Sequence, residues 1–308
     1  MSGLRLLAGP NLESGPESYA DHTRRLGTPK VDGRALIESL VRSGLTGRGG
    51  ASFPVGIKWR AVAAAARGSS VVVANGAEGE PQSHKDRLLM ATRPHLVLDG
   101  AFLAARALRA DQVIVYVGEE HQAARAAMSR ALAERPEAER RIARMADAPH
   151  RYVAGESRAA VHLIDAGVST PTTAPPYSRE RGVAGAPTLV QNVETLAHIA
   201  LIARYGDVWY RSAGRRGAAG TLMITVGGAV KRPGVLEIEA GTTIEESVAM
   251  AGGISEPAAA VLIGGYFGTW VRAEKAWELP LDAAALQDSG LTLGCGVVGV
   301  LPASRCGV

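Results

Sequence analysis

The chain has 308 residues, a formal net charge of +4 and 46% hydrophobic residues, with 37 glycines and only two cysteines. That length holds two domains, or one large domain with a small companion. The positive charge is mostly arginine and is scattered, which argues against a nucleic-acid-binding stripe. No apolar run reaches the roughly eighteen residues of a membrane span, and Met1 to Glu13 lacks the apolar core of a signal peptide. The expectation is a cytoplasmic protein without direct membrane insertion, alone or on the cytoplasmic face of a larger assembly. Cys295 and Cys306 are too few to anchor a metal cluster, so no metal is expected.

Residues 1–34 are rich in Gly, Pro and charge and read as an irregular arm. Ala35 to Ser43 has helical spacing and Gly44 stops it. Trp59 to Arg67 reads as an alanine-rich helix. Ser70 to Ala74 and Asp111 to Val117 are β-branched runs of the kind buried on both faces of a parallel sheet. Leu88 to Thr92 suits a helical turn, and Pro94 opens a longer helix to Arg109. Gln122 to Glu134 is helical, Arg151 to Ala154 suits a third strand, 168–187 is a loop, and Val193 to Tyr205 is a helix. This alternation predicts an α/β sheet with right-handed crossovers over 35–215.

Gly214 to Gly220 is a glycine- and arginine-rich joint. Beyond it, Leu222 to Gly228 and Val235 to Ile238 form a hairpin, and Thr242 to Ala251 is a capped helix with Glu245 and Glu246 in its first turns. Ala258 to Ile263 is a strand, Gly264 to Gly268 a glycine bend, and Leu291 to Leu301 a return strand. This order predicts a small β-grasp domain over 216–308.

Two stretches carry chemistry. In Gly47-Arg48-Gly49-Gly50-Ala51-Ser52-Phe53-Pro54-Val55-Gly56-Ile57-Lys58-Trp59, bare glycine backbone lets an anion or a flat ring approach. Arg48 and Lys58 offer positive charge, and Phe53 offers a stacking face. Alone, such a loop is also a plain turn between helices, and it matches neither standard nucleotide fingerprint. Asn75-Gly76-Ala77-Glu78-Gly79-Glu80-Pro81 follows a buried strand, where open α/β sheets place ligands. Asn75, Glu78 and Glu80 suit polyol or ring-edge hydrogen bonds; the plain alternative is solvated carboxylates paired with Lys85 and Arg87.

With Lys85-Asp86-Arg87, Tyr152-Val153-Ala154-Gly155-Glu156, Pro175-Pro176-Tyr177 and Gln191-Asn192-Val193-Glu194-Thr195, these stretches resemble the family of FMN- and NADH-binding 51 kDa subunits of respiratory complex I and related NAD-linked diaphorases. The resemblance covers about 35–305. It implies a Rossmann-like FMN-binding domain followed by a soluble-ligand-binding (SLBB) β-grasp domain. It implies an FMN site at Gly47, Arg48, Gly49, Lys58, Asn75, Glu78, Tyr152, Gly155, Glu156, Asn192 and Thr195, and an NADH site at Gly50, Ala51, Phe53, Glu80 and Tyr177. Hydride would pass from NADH to FMN, oriented by Lys58 and Glu80 with no attacking side chain, and electrons would go on to an iron–sulfur or ferredoxin-like partner subunit.

The sequence departs from the family pattern at Ala61, Ala77, Ser157, Ala174 and Gln191. Three of these, Ala61, Ser157 and Ala174, fall on the NADH side. A lost stacking partner costs about 0.5–1.5 kcal/mol, which keeps a second expectation open: a non-catalytic docking subunit, with or without flavin, that has lost NADH oxidation. The helical [4Fe-4S] domain of the family is expected to be absent, with neither cysteine matching a cluster ligand; the chain has lost that outlet or is a fragment.

Overall fold

The structure is a computed structural model, described here for residues 3–66 and 68–305. Arg67, the expected end of one helix, and Cys306 lie outside the described residues. In chain order the first part contains α1 (Tyr19–Leu26), α2 (Gly33–Ser43), α3 (Val55–Ala65), β1 (Val71–Gly76), α4 (Lys85–Thr92), α5 (Pro94–Leu108), β2 (Gln112–Gly118), α6 (Gln122–Glu134), α7 (Glu137–Arg140), β3 (Ala143–Ala148), α8 (Ser157–Ala166), β4 (Thr188–Asn192) and α9 (Val193–Arg211). The second contains β5 (Thr221–Gly228), β6 (Gly234–Glu239), α10 (Ile244–Met250), β7 (Ala258–Ile263), β8 (Thr269–Arg272), α11 (Ala273–Ala276), α12 (Ala283–Asp288) and β9 (Val297–Pro302).

The first sheet is parallel, in the order β3-β2-β1-β4. The Val71-Val72-Val73-Ala74 run of β1 is buried throughout, as expected for a strand covered on both faces. The chain runs outward from β1 through β2 to β3, then returns to lay β4 on the other side of β1. The β1–β4 boundary is therefore the point at which strand order reverses, the usual ligand crevice of a doubly wound sheet. The two neighbouring strands end at Gly76 and Asn192, and the pairing of Asn75 with Asn192 brings two amide side chains to that crevice. Helix α5 is almost entirely buried, and it crosses α9 so closely that a Cβ on Gly100 would lie 2.0 Å from the Leu196 carbonyl oxygen.

The second sheet is mixed, in the order β6-β5-β9-β7-β8. α10 begins with a complete capping box: the Thr243 hydroxyl accepts from Glu246 N and the Glu246 carboxylate accepts from Thr243 N. Its Ile244 and Val248 join Ile224, Val261 and Val298 in a second core.

Two expectations need correction, and one strand stands where none was expected. The arm is not irregular throughout: Ser18 caps α1, whose His22 is buried against α5. The third strand is Ala143–Ala148, while Tyr152–Gly155 is a 3-10 turn. The loop 168–187 leads into a further parallel strand, β4. Among the described residues no helix is long and apolar enough to cross a membrane.

Candidate functional site

A cavity of about 290 Å³ opens at the carboxyl ends of β1 and β4, at the lower edge of the size range of ligand pockets. Arg48 and Gly49 of the glycine loop line it, with Asn75, Glu78, Gly79 and Glu80 of the acidic bend. Tyr152, Val153, Gly155 and Glu156 form another wall, and Asn192 closes the floor. Ser83, Lys85, Asp86 and Cys295 complete the lining.

The bends come together through specific bonds. Asn75 Nδ2 donates to the Gly155 carbonyl at 2.8 Å, tying the β1 end to the 3-10 turn. Gly79 packs under that turn so tightly that a Cβ would lie 2.4 Å from the Tyr152 carbonyl oxygen. Asn192 caps α9, accepting from Glu194 N and Thr195 N, and donates its Nδ2 to Asp86 at 2.7 Å. Glu156 caps α8 by accepting from Arg158 N and Ala159 N. The cavity is thus edged by the amino ends of α8 and α9.

Charge at the cavity floor is concentrated and paired. Lys85 is buried, and its Nζ lies 2.7 Å from Asp86 Oδ1 and 2.8 Å from Glu194 Oε2. Burial alone lowers its pKa, but Asp86 and Glu194 outweigh it and hold the ammonium charged. Burial, with Glu78 and Glu194 nearby, pushes Asp86 up to about 7 against the pull of Lys85. Glu78 has φ +44° and is satisfied internally: it accepts from Ser83 Oγ, from Asp86 N and Arg87 N, and from Arg87 Nε at 3.0 Å. Burial raises its pKa, yet Lys85 and these donors bring it below its ordinary value. Cys295 has its thiol pushed up to about 11, chiefly by burial.

Several expected residues lie elsewhere. Arg48 contributes to the lining, but its guanidinium donates to the Tyr210 hydroxyl and the Thr221 carbonyl, both at 3.2 Å, toward the second domain. Lys58 donates to the Val190 carbonyl on β4, and burial lowers its pKa to about 8. The positive charge expected from these two residues is therefore directed away from the cavity. Thr195 accepts from Arg48 N at 2.9 Å, and Gly47 N donates to Phe53 O at 2.9 Å; both brace the loop from behind. Gly50 abuts Cys295, its would-be Cβ 3.7 Å from the sulfur. Ala51, Phe53 and Tyr177 do not line the cavity; Phe53 is 53% exposed, and Arg179 sits 4.1 Å over the Tyr177 ring. Lys85 and Asp86 stand in a recognisable Lys-Asp-Arg motif that pointed to no cavity role, whereas Cys295 lies far away in sequence with no local signal.

The lining fits a flat, hydrogen-bonding ring system. Glycines 49, 79 and 155 bring backbone close, the side-chain amides of Asn75 and Asn192 lie at the strand ends, and Tyr152 supplies an aromatic wall.

A parallel sheet with a polar, glycine-lined cavity at its strand-reversal point defines a cofactor-binding α/β protein. Residues 40–201 match the Nuo51 FMN-binding domain and 223–265 match the SLBB domain. The chain belongs to the Nuo51 FMN-binding domain family. It is 34% identical over 267 residues to the NAD-reducing hydrogenase HoxS subunit alpha of Cupriavidus necator, covering 83% of this chain and 44% of that one. It is 32% identical over 287 residues to an NADH-quinone oxidoreductase subunit of Rhizobium meliloti, covering 88% and 68%. Against the corresponding NADH-quinone oxidoreductase subunit of Escherichia coli the figures are 31%, 84% and 61%. The fold superposes on the crystal structure of an NAD+-reducing [NiFe]-hydrogenase in the H2-reduced state with TM-score 0.79 at 33% identity, over 89% of this chain and 48% of that one. The chain thus spans between about two fifths and two thirds of these relatives' length.

Proposed function

We propose that this chain is the FMN-holding electron-input part of an NADH dehydrogenase or NAD-linked diaphorase, receiving hydride from NADH and passing electrons to an iron–sulfur partner subunit. The observation that carries the reading is the convergence of the glycine loop, the acidic bend, the Tyr152 turn and the Asn192 cap on one cavity. Bound FMN would accept a hydride and release electrons singly, which no side chain of the cavity does.

The chain's own residues would bind and orient. Gly49 and Gly155 bring bare backbone to the cavity, Gly79 lets the acidic bend pack under the Tyr152 turn, and Asn75 and Asn192 offer amides to the polar edge of a ring. Tyr152 walls the cavity on one side. Glu80, buried and fixed by a backbone donor from Tyr266, faces the cavity from the acidic bend and would orient the nicotinamide. Gly50, Ala51 and exposed Phe53 would carry the rest of the dinucleotide, with Tyr177 on the 168–187 loop. Lys85 keeps Asp86 and Glu194 in fixed positions beneath Asn192. The partner and a location on the cytoplasmic face of an assembly belong to this same proposal.

One observation favours the docking-subunit reading: the Tyr177 ring, expected to meet the dinucleotide, is covered by Arg179. Two measurements decide. Titration of FMN into the purified chain is expected to quench flavin fluorescence with a saturating curve; no saturable quenching rules out the flavin reading. Stopped-flow mixing of the FMN-loaded chain with NADH is expected to bleach the flavin band; FMN retained but not bleached leaves the docking reading standing.

A further inference from the structure

A second cavity, of about 770 Å³, lies where the acidic bend faces the second sheet. Along 80–85 the residues divide between the two cavities. Glu80, Ser83 and Lys85 line the one at the strand ends, while Pro81, Gln82 and His84 line this one. Its volume is that of a small-molecule site, and clefts between domains are where such sites concentrate.

The floor is the open face of the second sheet. Val226, Val261, Val298 and Val300 point the other way, into the second core. On the open face one row crosses four strands in register: Gly227 on β5, Gly299 on β9, Leu262 on β7 and Trp270 on β8. Gly227 and Gly299 leave bare peptide planes side by side, and a Cβ built on Gly227 would meet nothing within 4 Å. Trp270 ends the row, 48% exposed and lining the cavity. Two paired glycines beside an exposed indole make a slot with a flat floor and an aromatic wall, a shape that suits a planar ring.

The polar groups around this slot are unspent. Thr225 is 5% exposed and accepts from His84 N at 3.0 Å, yet among the described residues nothing accepts its hydroxyl proton. The Gln82 amide reaches over Gly299, its Oε1 3.5 Å from where a Cβ would stand, and has no hydrogen-bond partner among the described residues. Burial, then Arg87, lowers the His84 pKa, so the imidazole is neutral at pH 7 and offers one donor and one acceptor. A hydroxyl, an amide and a neutral imidazole suit a ring edge that alternates donors and acceptors. A glutamine amide in particular matches the exocyclic amine and neighbouring ring nitrogen of adenine. The charged lining residues, Glu256 and Arg305, stand where β9 leaves the sheet. Glu256 is taken by the Ser304 hydroxyl at 2.5 Å. Arg305, and Arg272 in the next row with Leu301, have no carboxylate partner among the described residues.

We propose that this cleft binds an adenine nucleotide. The base lies on the Gly227–Gly299 floor against Trp270, Gln82 and Thr225 meet its edge, and the phosphate turns toward Arg305 and Arg272. The site goes beyond the electron-input reading and does not depend on it, since the two cavities share no lining residue.

The test is calorimetric titration of the full chain with AMP, adenosine and inosine monophosphate, repeated with FMN in excess. AMP is expected to bind equally with and without FMN. Adenosine lacks the phosphate, and inosine monophosphate carries an oxygen in place of the amine; each is expected to bind at least about fivefold more weakly. Trp270→Leu, at an exposed side chain, should weaken AMP about tenfold through lost stacking. Gly227 is outside the left-handed region and open above, so Gly227→Val fills the floor without strain. It should abolish AMP binding and leave flavin quenching unchanged. If that variant does not fold, Trp270→Leu and Gln82→Leu, both at exposed positions, carry the same decision. No AMP binding overturns the site, as does binding that excess FMN abolishes or that survives these substitutions. Adenosine as tight as AMP overturns the phosphate assignment, and inosine monophosphate as tight as AMP overturns the choice of adenine. Flavin quenching without AMP binding sinks this site alone, while AMP binding without flavin quenching sinks the flavin reading alone.

Discussion

Lys85 is the residue on which the charge balance of the cavity depends. Its ammonium separates Asp86 from Glu194 and lies close enough to Glu78 to lower that acid's pKa. Lys85→Met would leave these carboxylates facing one another in a buried place. Removing one partner of a buried ion pair costs about 3–5 kcal/mol, so the urea midpoint should fall steeply, whereas a loss under about 1 kcal/mol would refute the role given to the ammonium. At this scale the sequence was half readable. The glycines and amides that line the cavity stand in recognisable motifs. The direction of Arg48 does not, because it is set by Tyr210 and Thr221, residues far along the chain. Cys295 was unreadable as a cavity neighbour for the same reason: only the packing of the second domain brings it there.

Among the elements, α1 is held by a buried ionic cluster rather than by an apolar stripe. His22 Nε2 lies 2.7 Å from Asp99 Oδ2 and its Nδ1 3.5 Å from Glu17. Arg25 pairs with Glu17, Arg135 and Arg204 both reach Asp99, and His95 stacks nearby, 5.6 Å from His22. Burial lowers the His22 pKa, but Asp99 and Glu17 outweigh it and leave it raised. A raised folded-state pKa gives stability that is fully present below the unfolded value of about 6.5 and is lost as pH rises through the folded value. His95 is held down at about 4, by burial first and then by Arg135 and His22, so it stays neutral through that window. Amide exchange in α1 should therefore be slower at pH 6 than at pH 8.5, beyond the intrinsic rate change, and His22→Asn should flatten the difference. A pH-independent protection factor would contradict this account.

The same cluster explains why α1 escaped a reading by periodicity: its residues are Tyr-Ala-Asp-His-Thr-Arg-Arg-Leu, with apolar side chains only at the ends and one alanine between. β3 escaped for a related reason. Its Ala-Arg-Met-Ala-Asp-Ala carries no β-branched residue and is only partly buried at the sheet edge. The strands that were readable, β1 and β2, are the central ones with valine-rich runs, where burial on both faces dictates composition.

Across the whole molecule, the two sheets are fastened by the beginning of the chain. The Glu237 carboxylate on β6 accepts from Arg5 N, Leu6 N and Leu7 N and from the Thr221 hydroxyl, at 2.7–3.1 Å. Arg93, at the start of α5, binds the Leu7, Ala8 and Pro10 carbonyls from the other side. Glu237→Ala strands several buried donors, each worth about 1–3 kcal/mol. It should make residues 4–10 susceptible to limited proteolysis under native conditions, and Glu237→Gln, which keeps one acceptor oxygen, should fall between. Cleavage no faster than in the parent would show that the segment is held by its leucines alone.

The strand order of the second sheet governs when this protein can finish folding. β9 pairs parallel with β5 and antiparallel with β7, so it stands between the β5–β6 and β7–β8 hairpins. Each hairpin can form from local contacts soon after synthesis, but they share no ladder of their own. On the ribosome, the valine and isoleucine faces of both hairpins must wait for Val297–Pro302 before they are covered, while the N-terminal segment waits for Glu237. Long-range closure of this kind is slow and leaves apolar surface open in the meantime. The cavity at the strand ends inherits the delay, because Cys295 and the Glu80–Tyr266 bond complete its wall only after that closure; in a nascent chain it would take shape late and all at once.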